Sequence, residues 1–147
     1  MKKTIVTLLT FWALTVSMWA QDFNQDLRYL IATSVTNKAL GVSSVDGIGL
    51  SNADETNVLQ QMILEKMKGG YRIRMKIGDT EFAYRYAENK LTVGNVNGSD
   101  EDQFFKFTPV TGNEDTYIIV PLNTPNVALH AQNDKTLVFV PVEKAQN

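Results

Sequence analysis

Cysteine is absent from this 147-residue chain, and histidine occurs once. The first absence excludes a disulfide frame, a thiolate nucleophile and a Cys-ligated zinc. The second excludes a multi-histidine metal site, so neither metal nor cofactor is expected. An excess of basic charge is missing too. Lys+Arg 14 against Asp+Glu 16 gives a net charge of -2, which offers no patch for nucleic-acid phosphates. Beyond the N-terminus no long apolar run occurs, so no stable membrane span is expected. No ordered Ser-His-Asp set, paired acid or phosphate loop stands out, and the chain reads as non-catalytic. What is present is ordinary for one globular domain: 44% apolar and 20% charged residues.

The first twenty residues read as an export leader. Met1-Lys2-Lys3 is a short positive region, Thr4 to Val16 is mostly apolar, and Ser17-Met18-Trp19-Ala20 ends in a small residue. That is the layout of a secretory signal peptide cut after Ala20, although Met18 is not the small residue usual three places before a cut. The expected product, residues 21–147, is secreted or periplasmic. Removing Lys2 and Lys3 moves the net charge from -2 to -4, and removing Trp12 and Trp19 takes away both tryptophans. Export without cysteine is more typical of bacteria than of a eukaryotic secreted domain of this size.

The remainder repeats itself. Tyr29-Leu30-Ile31, Tyr71-Arg72-Ile73 and Tyr117-Ile118-Ile119 share the form Tyr-x-Ile at spacings of 42 and 46 residues. A second strand follows each: Ala39-Leu40-Gly41-Val42, Ala83-Tyr84-Arg85-Tyr86 and Ala128-Leu129-His130-Ala131. A third follows at Ile48–Leu50, Leu91–Val93 and Leu137–Phe139. The fourth is Gln60–Leu64 in copy one and Gln103–Phe107 in copy two, each with apolar residues two and four places after the Gln, the period of a half-buried strand. The copies span about 27–70, 71–115 and 116–147. Turn-forming Asn, Asp and Gly separate the strands, as in Val45-Asp46-Gly47 and Glu88-Asn89-Lys90. Eleven strands are expected. The fourth strand of copy three is missing, or is supplied by the N-terminal stretch Gln21–Leu27. One segment has a competing reading: Val58–Met67 also fits an amphipathic helix capped by Asp54 or Thr56.

A three-fold repeat of this length, opening on Tyr-x-Ile and closing on Gln103-Phe104-Phe105, resembles the ricin B-type β-trefoil lectin domain family. The resemblance covers most of residues 27–142. Family members carry Gln-x-Trp where this chain has Gln60-Gln61-Met62 and Gln103-Phe104-Phe105. It implies an all-β fold, a six-stranded barrel capped by three hairpins, because one copy cannot bury its own apolar face. The core is expected to hold Tyr29/Ile31, Tyr71/Ile73 and Tyr117/Ile119 with Met62, Phe105 and Phe107.

The resemblance also implies a shallow sugar pocket in each copy: an Asp after the second strand's Leu, an aromatic near the end of the third, and an Asn before the Gln. This chain has Gly41, Arg85 and His130 at the first place, Ser51, Gly94 and Val140 at the second, and Leu59 and Asp102 before the Gln. Alternation turns Tyr84 and Tyr86 inward and Arg85 outward. Arg85 with Asn95, Asp102 and Gln103 forms the candidate ligand site of copy two, and His130 holds the matching place in copy three. An Arg there only donates hydrogen bonds, so acidic sugars are expected to be preferred. Asp100-Glu101-Asp102 lacks the spacing of an EF-hand, with Lys106 near the place of its closing Glu. The expected function is a monomeric carbohydrate-binding module for a glycan or polysaccharide, alone or as the N-terminal part of a larger glycan-degrading protein. The competing reading is a protein-binding trefoil, an inhibitor or adhesion domain working through its loops.

Overall fold

The computed structural model describes residues 3–8, 22–34, 36–43, 47–67 and 69–145. The fold is all-β. Strand β1 is Lys3–Leu8. Copy one contributes β2 (Arg28–Thr33), β3 (Lys38–Ser43), β4 (Gly47–Asn52) and β5 (Ile63–Met67). Copy two contributes β6 (Gly70–Ile77), β7 (Thr80–Ala87), β8 (Lys90–Asn95) and β9 (Phe104–Pro109). Copy three contributes β10 (Thr116–Pro121), β11 (Val127–Ala131) and β12 (Leu137–Pro141), followed by a short helix α1 (Val142–Ala145).

The pairing forms a ring. Neighbours run β2–β1–β10–β9–β6–β5, and β5's end returns to β2 through two hydrogen bonds between Tyr29 and Met62, both 2.9 Å. Hairpins β3–β4, β7–β8 and β11–β12 stand off this ring. The β7–β8 turn takes Glu88 and Asn89 through positive φ of 49° and 63°, the twist that a two-residue hairpin turn needs. Closure of the ring removes open edges that would otherwise pair with another chain.

Period-two alternation places the core where the sequence predicts. Tyr29, Ile31, Tyr71, Ile73, Tyr117, Ile119, Met62, Phe105 and Phe107 are all buried in one cluster. Tyr84 joins it, wholly buried, and Tyr86 packs on it against Phe139 at a ring separation of 4.8 Å. A smaller cluster of Val110, Ile118, Val120, Ala128 and Ala145 lies apart from it.

Two expectations change. Val58–Met67 is neither one helix nor one strand. Val58–Gln60 is a single 3-10 turn capped by Asn57, and the strand starts at Ile63. Gln21–Leu27 does not supply the missing ring strand, since Asp22–Leu27 contains none. Its amides are engaged elsewhere: tyrosine hydroxyls accept from Phe23 N (Tyr71, 3.3 Å) and Asn24 N (Tyr29, 2.8 Å). The Phe23 ring then sits edge-on among Tyr29, Tyr71, Phe107 and Tyr117 at 5.0–5.4 Å. The ring position is filled by β1, from the segment read as leader.

Candidate functional site

Copies one and two build the same frame 43 residues apart in sequence. In copy one, Gln60 accepts from Asp54 N (2.8 Å) and donates to Asn52 O (3.0 Å). In copy two, Gln103 accepts from Asn97 N (3.1 Å) and donates to Asn95 O (2.8 Å). Both glutamines are buried at the end of a 3-10 turn. Asp54 Oδ1 accepts from Thr56, and Asn97 Oδ1 from Ser99, through backbone N–H and hydroxyl alike. Asn57 caps Leu59 N, and Asp100 caps Asp102 N. Each glutamine therefore fastens the loop after the hairpin to its own turn, satisfying backbone groups that burial would otherwise orphan. The strand reading of these glutamines misses this role. The signal was in the sequence: Asp54-Glu55-Thr56-Asn57-x-x-Gln60 and Asn97-Gly98-Ser99-Asp100-x-x-Gln103 align without a gap.

Above this common frame the surfaces differ. In copy two the structure joins Arg85 to Asp102 and, separately, Gln103 to Asn95. Arg85 is not a free cation: Nε lies 3.0 Å from Asp100 Oδ2, and Nη2 lies 3.5 Å from Asp102 Oδ2. One guanidinium faces two carboxylates, leaving the group with a net negative charge. The Arg85 stem runs past Gly94, where an added Cβ would stand 3.9 Å from Arg85 Cδ. Gln103 is buried beneath and reaches Asn95 through that residue's backbone oxygen.

In copy one the place of Arg85 is Gly41, and a cleft of about 330 Å³ opens there. Gly41 lies against the 3-10 turn, so an added Cβ would stand 3.0 Å from Leu59 O and from Gln60 Cγ. Gly49 lies under copy three, where a Cβ would stand 2.8 Å from Lys135 O. That carbonyl accepts from Leu50 N at 2.9 Å. Ser43, Ser51 and Asn57 add polar groups to the wall, and Val42, Ile48 and Leu59 add apolar ones. The cleft is of the size of small-molecule sites. Among the described residues it is lined by no acidic side chain, and Lys135 is the one charged residue on its wall.

His130 lies elsewhere, on β11 in the separate two-stranded sheet opposite Val138. It is half-buried, and its Nδ1 has no hydrogen-bond partner. Among the described residues, no group of three or more His, Asp or Glu is placed to hold a metal ion. No helix among them is long and apolar enough to cross a membrane. Neither a family model nor a curated protein matches the chain.

Proposed function

We propose that this chain is an exported, non-catalytic β-trefoil that binds carbohydrate, as the resemblance to ricin B-type domains implies, and that the copy-one cleft is its principal site. The observation that carries the reading is that cleft, open because Gly41 stands where copy two has Arg85. The side chains of Ser43, Ser51 and Asn57 on the wall suit the many donors and acceptors of a sugar. Val42, Ile48 and Leu59 suit the apolar face of its ring. Among the described residues no aromatic side chain lines the cleft, so the stacking contact of the family is missing there and affinity is modest.

Copy two is the second place for a sugar. Asp100 and Asp102 compensate the charge of Arg85, which takes away the reason to prefer acidic sugars. Neutral glycans are therefore the expected ligands. A glycan array, followed by titration of the best hit, tests this. Gly41→Arg should abolish binding and Arg85→Ala should leave it unchanged. The reverse pattern would place the site in copy two. Binding to no glycan would leave the protein-binding reading.

A further inference from the structure

We propose that Asn97 is a site of spontaneous covalent modification. The main-chain nitrogen of Gly98 attacks its side-chain amide, ammonia is lost, and water converts the resulting ring to aspartate or isoaspartate. The inference goes beyond carbohydrate binding and does not depend on it.

Asn97-Gly98 is the one Asn-Gly pair in the sequence. Every other asparagine with a successor is followed by a residue whose β-carbon crowds the attacking nitrogen. Asn97, Gly98 and Ser99 are all exposed. Gly98 lies in open space, where an added Cβ would meet nothing within 4 Å. Ser99 donates to Asn97 Oδ1 from its N–H (3.1 Å) and from its hydroxyl (2.9 Å). These donors sit where negative charge gathers as the amide carbon is attacked. In that step the bond from Gly98 N to Asn97 Cγ forms and the Cγ–Nδ2 bond breaks. Nδ2 leaves as ammonia with the proton of the Gly98 amide, and nothing is oxidised or reduced. Water then opens the ring. Attack at Cγ gives aspartate; attack at the main-chain carbonyl leaves the chain running through Cγ, which is isoaspartate.

The two products differ in what they do to the frame. Copy one already carries the first. Asp54 stands in the place of Asn97, and its Oδ1 accepts from Thr56 as that of Asn97 does from Ser99. An aspartate at 97 is therefore a residue that this frame accepts. Isoaspartate is not. Asn97 N donates to the buried Gln103 (3.1 Å), and Asn97 O accepts from Asp100 N (3.2 Å) and Arg72 Nη2 (3.4 Å). Rerouting the chain through Cγ adds a carbon between Asn97 N and Gly98, and turns Asn97 O into part of a free carboxylate. The bonds that fasten the loop after β8 to its turn then lose their geometry. Copy one, with Asp54-Glu55 at this place, has no amide to lose.

The test incubates the folded full chain in mildly alkaline buffer. Asn97 is followed by peptide mass and by labelling with an isoaspartate-specific methyltransferase. Conversion is expected at Asn97 before any other asparagine. Gly98 has no positive φ and has room for a Cβ, so Gly98→Ala should fold and should convert more slowly, by about tenfold or more. Asn97→Asp should melt with the parent, whereas the isoaspartate fraction, separated by chromatography, should melt below both. An Asn97 that stays intact in the folded chain, while a free peptide of residues 94–101 converts, overturns the site. Equal conversion of Gly98→Ala overturns it too. Melting of Asn97→Asp as low as that of the isoaspartate fraction overturns the difference between the products.

Discussion

At the outward place of the second strand, copy one has Gly41 and copy two has Arg85. Beneath each lies the same buried glutamine, the same Asx-capped 3-10 turn and the same pair of loop hydrogen bonds. The two frames share these main-chain bonds but differ in how closely the second strand approaches: at Gly41 an added Cβ would press on Leu59 O and Gln60 Cγ at 3.0 Å, whereas copy two carries Arg85. In copy one the open surface becomes a cleft; in copy two a guanidinium and two carboxylates cover it. The comparison separates what holds a repeat in shape from what the repeat can bind.

The largest test of that separation is at the core. Met62 and Phe105 hold equivalent places, both fully buried. Phe105→Ala should cost about 3–5 kcal/mol and Met62→Ala about 2–5, read from urea or thermal unfolding. A parent-like midpoint in either would mean that its copy does not share the common core. High pH should act on copies two and three at once. Burial, with the nearby Asp115 carboxylate, pushes the Tyr117 hydroxyl up to about 12 from an ordinary 10.0, and burial raises Tyr84 further. A raised value means that the folded state resists ionisation. The stability it contributes is whole below pH 10 and is lost as pH rises toward 12. Tyrosinate absorbance and circular dichroism should therefore change together in that range. Absorbance rising fully near pH 10 with the fold intact would contradict it.

The glutamines come next. Gln60→Ala and Gln103→Ala each orphan buried main-chain groups and should cost about 1–3 kcal/mol. Both should destabilise, yet only Gln60→Ala should also weaken glycan binding. Equal effects on binding would erase the distinction between the copies. A smaller effect is expected at Tyr84, which stands where copy one has Leu40. Its hydroxyl is buried without a partner, so Tyr84→Phe should raise stability by about 1 kcal/mol; a loss would reveal a partner for that hydroxyl. The smallest belongs to Arg85→Ala. The guanidinium is about a third exposed, and such pairs contribute about 0.2–1 kcal/mol. A cost above that range would make Arg85 part of the frame.

The strands and the core were legible in the sequence because alternation writes them twice over, in Tyr29/Ile31 and again in Tyr71/Ile73 and Tyr117/Ile119. Gln60 and Gln103 were visible as markers but not as fasteners, since a 3-10 turn of three residues is too short to leave a period. The cleft was less legible still. It depends on the absence of a side chain at Gly41 and on Lys135, which comes from another copy some ninety positions away. The pairing of Arg85 with Asp100 required the fold, because nothing in their spacing distinguishes an internal partner from a surface charge. Lys3–Leu8 carries two readings at once, because the apolarity that suits a leader also suits a barrel strand.

The seating of Phe23 has a consequence for timing. It lies two residues beyond Gln21, the expected first residue after the cut, and its ring is wedged among three tyrosines and Phe107. A peptidase needs this stretch of chain loose and extended, whereas the barrel needs it tucked in. Under the proposed leader reading, the cut would have to come before Phe23 is seated, or wait for that end of the barrel to open.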